Sequence, residues 1–252
     1  FGLRDYRGGG RSSARETAAR VAAGAIASKI LSSMGIHLTA YTRSIGPVSI
    51  SDDHFDPSAI SETSTCMPDR EADARAGAFL AQCMKEHDSA GGVVECVVSG
   101  VPAGIGDPVF EKLDAMLSMA VMSIGAVKAV EIGDGIAAAS RKGSENNDAF
   151  YADHGQIKKK TNHAGGILGG ISDGSEIILR AHFKPTPSIF QKQHTVTNTL
   201  ENTELEIRGR HDPVVVPRAV VVVECMTALT ILDACMKNMT ARLDYLVDFY
   251  QS

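Results

Sequence analysis

The sequence contains no tryptophan, and aromatic residues make up only 5% of its 252 positions. A core must therefore be built from Val, Ile, Leu, Met and Ala, and a hydrophobic content of 44% is sufficient for one. The formal net charge of −5 excludes the positive excess that general binding to nucleic acids or anionic membranes requires. The longest apolar run, 214–223, is interrupted by Pro217 and Arg218 and is too short to span a bilayer. We therefore predict a cytoplasmic protein with no nucleic-acid or membrane partner.

The five cysteines form no C-x-x-C pair and have no histidines clustered near them. An odd number of cysteines without zinc-ligand spacing is typical of reduced, structural thiols in a cytosolic protein. The G-x-x-x-x-G-K-[ST], H-E-x-x-H and G-x-S-x-G motifs are also missing, so P-loop NTPases, zincins and α/β-hydrolases lack their signature here. We predict no metal site.

Hydrophobic periodicity predicts a single domain over 1–252, with a mixed sheet and buried helices. The segment 13–33 is apolar nearly all round, which predicts a helix buried on most of its sides. Residues 133–155 are rich in Gly, Ser and Asn and predict long loops or a β-excursion. The remaining predicted helices are 68–86, 109–124 and 218–240, and the predicted strands are 36–45, 91–99, 126–132 and 176–183. Residues 195–207 are predicted to form a strand or a hairpin.

A glycine-rich loop leads into the first of these helices. Three glycines, Gly8 to Gly10, allow close approach of a ligand. Ser13 and Glu16 have the spacing of a capping box, and the helix N-terminus behind them favours an anion. Arg11 and Arg15 add positive charge with bidentate donor geometry. The alternative interpretation is an ordinary capped helix with solvated arginines.

Two later loops carry further polar groups. Lys184-Pro-Thr-Pro-Ser188 places a cation and two hydroxyls on a proline-rigidified loop, which suits a phosphate, although an ordinary turn is the alternative. Arg210-His-Asp212 combines a cation, an imidazole and a carboxylate, and Asp212 could act as a base or orient a neighbour. The run Lys158 to Lys160 is predicted to be solvated.

Gly133-Asp-Gly-Ile-Ala-Ala138 matches the dinucleotide fingerprint G-x-G-x-x-A after a predicted strand. A dinucleotide site needs a long helix directly after this turn and an acidic residue on the next strand. The segment that follows, 140–147, is too polar for such a helix. A Rossmann-type oxidoreductase therefore remains a disfavoured alternative.

Seven long motifs, together with the opening segment 4–18, resemble chorismate synthases over essentially the whole chain. They are 100–110, 122–128, 131–135, 143–148, 162–172, 184–188 and 209–213. The resemblance implies an α+β fold, a β-α-β sandwich with helices packed between antiparallel sheets, assembled as a homotetramer. It implies conversion of 5-enolpyruvylshikimate-3-phosphate (EPSP) to chorismate and phosphate by a 1,4-anti elimination that requires reduced FMN. NADPH is a possible reductant, because some members of the family reduce their own flavin.

The resemblance also implies roles for individual residues. Asp212 and Ser13 are the implied catalytic residues, with Asp212 assisting proton movement at flavin N5. The implied substrate-binding residues are Arg11, Ser13, Arg15 and Arg210. The implied flavin-binding residues are Arg11, Ser12, Ser13, Gly125, Ala126, Gly169, Lys184, Pro185, Thr186, Pro187, Ser188 and Arg210. Many relatives have Asn at position 125 and Ser at position 187.

Family members carry an N-terminal segment with two active-site histidines and several substrate-binding arginines before the motif that opens this chain. We therefore expect an N-terminally incomplete chorismate synthase domain. If that segment is truly missing, the alternative is a non-catalytic fragment that binds FMN or a phospho-ligand.

Overall fold

The computed structural model describes residues 9–207 and 212–251, and it contains both α-helices and β-strands. The helices are α1 (Thr17–Ser33), α2 (Arg70–Lys85), α3 (Leu113–Met122), α4 (Gly143–Asn146), α5 (Val216–Asn238) and α6 (Leu243–Gln251). The strands are β1 (His37–Ile45), β2 (Val48–Ser49), β3 (Gly92–Ser99), β4 (Val127–Ile132), β5 (Phe150–Asp153), β6 (Gln156–Lys159), β7 (Ile167–Leu168), β8 (Ile171–Ser172), β9 (Ile177–Phe183), β10 (Lys192–Val196) and β11 (Asn202–Glu206).

Five strands form one sheet in the order β2-β1-β3-β9-β4. In β9 buried and half-buried residues alternate strictly, as expected for a strand with two different faces. The pairs β5–β6, β7–β8 and β10–β11 form separate antiparallel hairpins. The predicted α+β class is confirmed, and the predicted excursion at 133–155 corresponds to a 3-10 helix, α4 and the start of the β5–β6 hairpin.

The chain divides into two compact units. The first contains residues 1–40, 95–181 and 221–252, and the second contains residues 41–94 and 182–220. The division falls within β1, β3, β9 and α5. The proposal of one domain over the whole chain stays a prediction.

In the first unit, α1 crosses α5 at a glycine. A Cβ atom built on Gly24 would lie 2.2 Å from Cys225 Cβ and 2.6 Å from Cys225 Cα. Only glycine permits this approach. The prediction that the first helix is buried on most sides is wrong, because Gly24, Ala27 and Leu31 are its buried residues and Ile26 is 64% exposed. Apolar composition predicted burial, but the helix packs along a single stripe.

In the second unit, α2 is fixed at its start by a buried carboxylate. Asp69 is 1% exposed and accepts hydrogen bonds from the N–H groups of Glu71 and Ala72, at 3.0 and 2.9 Å. These bonds satisfy two of the unpaired donors at the helix N-terminus. Ala72 and Ala76 then face the core, where Ile45 and Met67 are fully buried.

Helix α5 extends well beyond the apolar run 214–223, which by itself is too short to span a bilayer. Of the described helices, α5 is the one that could cross a membrane by length and composition, with a mean hydropathy of 1.9, yet half of that stretch is buried in the protein. Pro217 lies in its first turn, where the missing N–H costs no hydrogen bond. We interpret α5 as a core helix. The final helix, α6, was not predicted from the sequence, and its apolar side chains are exposed except that of Leu246, which is half-buried.

The cysteines behave as structural thiols. Cys83, Cys96, Cys225 and Cys235 are buried, Cys66 is half-buried, and all five are free. Burial raises the pKa of each thiol, so the neutral, unreactive form is favoured.

Glu224 is a half-buried carboxyl group on α5 whose replacement should change the pH dependence of stability. Burial raises its pKa, although a hydrogen bond from Ala40 N–H to Oε2 at 3.0 Å opposes the shift. A raised pKa means that the carboxyl group favours folding at low pH, and this contribution is lost as pH rises through the folded-state pKa. We therefore expect Glu224→Gln, which keeps an acceptor for Ala40, to have a higher Tm than the wild type at pH 8.

The difference in Tm should shrink at pH 4, where the wild-type carboxyl is itself largely protonated. Thermal unfolding of both proteins from pH 4 to pH 8 measures it. An equal difference at both pH values would contradict a role for the half-buried charge.

Candidate functional site

The segment that precedes α1 forms two short 3-10 turns, Gly10–Ser12 and Ala14–Glu16. The predicted capping box is wrong. Ser13 makes no side-chain cap bond, and the Glu16 carboxylate is held by Arg20 Nε at 2.9 Å, one helical turn later. Ser13 precedes the second 3-10 turn and not α1, whose N-cap position is taken by Glu16.

This geometry leaves polar groups available for a ligand. Ser12 Oγ donates to Gly9 O at 2.5 Å, whereas within the described chain the Ser13 hydroxyl makes no hydrogen bond. Arg11 and Arg15 are exposed, and neither has a carboxylate partner in residues 9–207 or 212–251. Two guanidinium groups that have no carboxylate partner among the described residues, beside a hydroxyl that makes no hydrogen bond there, suit an anionic ligand.

The Ser123–Ala126 turn lies next to α1. Arg20 Nη1 donates to Ser123 Oγ at 2.6 Å, and Ser123 Oγ donates to Ala120 O at 2.6 Å. Ala126 has φ +72°, a conformation that costs free energy for a residue with a side chain and is found at functional sites. Gly125 is exposed, and a Cβ there would meet no atom within 4 Å, so its backbone borders open space.

Gly169 lies at the turn of the β7–β8 hairpin. Its φ is +62°, the residue is exposed, and a Cβ would meet nothing within 4 Å, so a ligand can approach its backbone directly. The next residue, Gly170, is buried and its carbonyl accepts from Leu113 N–H at 2.8 Å. The hairpin is therefore attached to the start of α3, and the Ser123–Ala126 turn follows the end of the same helix.

In the second unit, the Lys184–Ser188 loop contains an unsatisfied hydroxyl. Thr186 Oγ1 is buried and has no hydrogen-bond partner among residues 9–207 and 212–251, while the Thr186 carbonyl accepts from Ser89 Oγ at 2.7 Å. Lys184 Nζ reaches only Pro185 O, at 3.5 Å, and no carboxylate pairs with it in the described part of the chain. The Pro187 carbonyl accepts from Gln193 Nε2 at 3.1 Å.

Asp212 lies near the same segment of the second unit. Ala90 N–H donates to Pro213 O at 2.7 Å, so residues 89 and 90 contact both the Lys184–Ser188 loop and the start of the Asp212 segment. The Asp212 carboxylate forms a two-point ion pair with Arg218, with distances of 2.7 and 3.0 Å. Arg210 lies outside the described residues.

The structure thus places the predicted residues in two sets. Within the first unit, the Arg11–Arg15 segment and the Ser123–Ala126 turn are connected through Arg20. Within the second unit, Lys184–Ser188 and Asp212 are connected through Ser89 and Ala90. The sequence prediction did not include Arg20, Ser89 and Arg218. Each of them contacts a residue that is distant in the sequence or lies outside a recognisable motif, so no local pattern marked it.

The segment after Gly133 does not form the long helix that a dinucleotide-binding site requires. Gly135–Ser140 is a 3-10 helix of six residues, not the long α-helix that a dinucleotide site needs. Gly133 instead packs against the backbone of residues 163–165, where a Cβ would lie 2.2 Å from His163 O. The glycine serves close backbone packing.

Comparisons with known proteins agree with the resemblance in the sequence. A family model described as chorismate synthase matches residues 1–236. A chorismate synthase of Agathobacter rectalis is 59% identical over 251 residues, covering 100% of this chain and 68% of the relative. One of Lachnoclostridium phytofermentans is 56% identical over 252 residues, covering 100% of this chain and 69% of the relative.

A solved structure described as a crystal structure of chorismate synthase has a TM-score of 0.77 and 31% identity, and it covers 91% of this chain and 66% of that chain. This chain therefore spans about two thirds of the length of the relatives that it matches. A family match over most of the chain, high identity to named relatives and a shared fold lead to one conclusion. The chain belongs to the chorismate synthase family.

Proposed function

We propose that this chain acts as a chorismate synthase, which converts EPSP to chorismate and inorganic phosphate. The reaction breaks the C–O bond to phosphate and a C–H bond at C6, and a new double bond forms in the ring. It involves no net change of oxidation state. The family membership supports this function, and it favours the enzyme over a non-catalytic fragment that only binds FMN or a phospho-ligand.

The buried Thr186 hydroxyl, which has no hydrogen-bond partner in the part of the chain that the structure describes, is the observation that carries the proposal. Burying a hydroxyl without a hydrogen bond is unfavourable, so such groups in native structures call for a reason. The nearby Lys184 has no carboxylate partner in the described chain. A hydroxyl without a hydrogen-bond partner and a cation without a carboxylate partner, both judged over the described residues and both on one proline-bounded loop, fit a phosphate group.

Reduced FMN fits the residues that are present, and we propose that it is the cofactor. Lys184, Thr186 and Ser188 would hold its phosphate, with Pro185 and Pro187 fixing the loop. Exposed backbone at Gly125 and Gly169 would face the ring system, together with Arg11, Ser12, Ser13, Ala126 and Arg210. When bound, reduced FMN supplies electron density to the substrate as phosphate leaves.

The chain's own residues would bind the substrate and move protons. Arg11 and Arg15 supply positive charge for the anionic substrate, together with Arg210, and the free Ser13 hydroxyl can donate a hydrogen bond or a proton to it. Asp212 would hold a proton near flavin N5. Arg218 keeps the Asp212 carboxylate in one orientation through the two-point ion pair.

The remaining parts of the proposal concern the cellular setting. We propose a homotetramer in the cytoplasm, without nucleic-acid or membrane partners, and with NADPH as a possible source of electrons for the flavin. Among the described residues, the exposed apolar side chains of α1 and α6 support assembly with other chains.

The function is tested by an anaerobic assay of the intact protein with EPSP and reduced FMN. We expect one chorismate and one phosphate for each EPSP consumed. Phosphate release without chorismate, or no turnover of the intact protein, would overturn the proposal.

The Thr186 hydroxyl predicts a specific effect on cofactor affinity. Thr186→Val should raise the Kd for FMN by about ten- to a hundredfold, because a hydrogen bond to a charged group is worth about 1.5–3 kcal/mol. The Tm of the flavin-free protein should stay the same or rise, since the variant removes a buried hydroxyl that has no hydrogen-bond partner among the described residues. Thr195→Val, at an exposed position of β10, is the matched control and should leave the Kd unchanged. A lower Tm with unchanged FMN affinity would contradict the role of Thr186.

A further inference from the structure

Lys159, the last residue of β6, is a buried lysine in a run of exposed ones. Its side chain is 4% exposed, whereas the side chain of Lys158 is 48% exposed. The prediction that the run 158–160 is solvated is therefore wrong at its central residue. A charged ammonium group this deeply buried needs compensating partners.

Three polar side chains surround the ammonium group. Lys159 Nζ lies 2.7 Å from Asp173 Oδ2, 3.0 Å from Asn162 Oδ1 and 3.5 Å from Asp148 Oδ2. The carboxylates of Asp148 and Asp173 are themselves 4% and 9% exposed. We call Lys159, Asp148, Asn162 and Asp173 the lysine cluster.

The lysine cluster forms hydrogen bonds at both ends of the β7–β8 hairpin. Before β7, Asn162 Oδ1 accepts from Gly166 N–H at 2.9 Å. After β8, Asp173 Oδ1 accepts from Ser175 N–H at 2.9 Å, and Asp173 N–H donates to Gly166 O at 3.0 Å. Lys159 Nζ donates to both Asn162 Oδ1 and Asp173 Oδ2, and it thereby connects these two side chains.

Asp148 holds the first end of the hairpin by itself. It accepts from the N–H groups of His163 and Ala164, at 2.8 and 3.0 Å, and from Thr161 Oγ1 at 2.7 Å. Burial raises the pKa of Asp148, but these hydrogen bonds and the positive charge of Lys159 outweigh that effect and lower the pKa to about 2. Asp148 therefore has three donors even without the lysine.

The hairpin is too short to be rigid by itself. Strands β7 and β8 have two residues each, and isolated hairpins of this size are not stable in water. Gly169 lies at the turn between them, where its open backbone is the predicted flavin contact. The position of Gly169 therefore depends on what fixes the hairpin from outside, which is the Leu113–Gly170 bond beside the turn together with the lysine cluster at the two ends.

We propose that Lys159 is a positioning residue for flavin binding, which acts by tying together the two ends of the hairpin that presents Gly169. This inference rests on the proposed function. Lys159 does not contact the flavin in this proposal. It keeps the Gly169 backbone in the position and orientation in which it contacts the cofactor.

The test compares FMN binding by the wild type, Lys159→Met/Asp173→Asn and Lys158→Met. The double variant removes one positive and one negative charge, so the cluster keeps its net charge while the link to Asp173 is lost. We expect its Kd for FMN to rise about tenfold or more, as misplacement of a positioned group by about 1 Å can cost far more than that. At saturating FMN, kcat and the KM for EPSP should stay within about twofold of the wild type.

Hydrogen exchange gives a readout that does not require the flavin. Amides of residues 166–173 should exchange faster in the double variant, and those of α2 should not change. Lys158→Met, next to Lys159 on the exposed side, should match the wild type in every measurement. A folded double variant with wild-type FMN affinity would overturn the inference.

Two further outcomes are covered. If the double variant does not fold, Asp173→Asn alone weakens the link from Lys159 by replacing a charge-assisted hydrogen bond with a neutral one, and we expect the Kd for FMN to rise about threefold. No change in that variant would overturn the inference. If the wild type itself does not bind FMN, the proposed function fails as well, which is distinct from a failure confined to the variants.

Discussion

Replacing Gly24 with alanine should destabilise the protein by about 3 kcal/mol, at the upper end of the range for overpacked cores. The added methyl group would lie 2.2 Å from Cys225 Cβ and 2.8 Å from the Cys225 carbonyl oxygen. No rotamer change can relieve a contact with backbone atoms, so α1 and α5 would have to move apart. For a chain of this size the change corresponds to a fall in Tm of about 10 °C.

Gly77→Ala is the matched control for this prediction. Gly77 is an exposed glycine in α2, where a Cβ would meet no atom within 4 Å. Because alanine favours helix by about 1 kcal/mol relative to glycine, the control should keep or raise Tm. Thermal or urea unfolding of the two variants measures the contrast. Equal Tm values for Gly24→Ala and the wild type would contradict the close crossing of α1 and α5.

The second large effect concerns turnover. Asp212→Asn should lower kcat by about 10²-fold or more, in the range expected when a positioned acid or base is lost. The Kd for FMN should stay close to that of the wild type, because asparagine preserves the size of the side chain and can still accept a hydrogen bond from Arg218. Stopped-flow measurement of chorismate formation, together with flavin titration, separates the two quantities.

Asp233→Asn is the corresponding control. Asp233 is another exposed aspartate with a basic partner, Lys237, one turn later on α5. It belongs to no predicted site, and its replacement should leave kcat unchanged. If Asp212→Asn kept wild-type turnover, or lost FMN binding in parallel with turnover, proton movement by Asp212 would be the wrong assignment.

Much of the fold could be predicted from periodicity. The strands observed at 37–45, 92–99, 127–132 and 177–183 match the predicted ones within a residue or so, because β-branched runs bounded by glycine specify strands strongly. Burial was harder to predict. Helix α1 has apolar residues on every side, and which of them face the core depends on where α5 crosses it.

The chemistry of the site could be predicted in part. The types of residue on each loop pointed to anions, and motif resemblance identified the family. The hydrogen-bond state of each group could not be read from the sequence. The Ser13–Glu16 spacing predicted a capping box, whereas Arg20 takes the Glu16 carboxylate. In the sequence Lys159 lies between Lys158 and Lys160 and cannot be told apart from them. The fold places its side chain between Asp148 and Asp173.

The central claim, that this chain eliminates phosphate from EPSP with the help of a reduced flavin, is tested most directly by a comparison of flavin states. The intact protein is mixed with EPSP under anaerobic conditions, once with reduced FMN and once with oxidised FMN, and chorismate and phosphate are measured together. We predict equal amounts of both products with reduced FMN and neither with oxidised FMN. Turnover at the same rate in both flavin states, or no turnover with reduced FMN, would contradict the account.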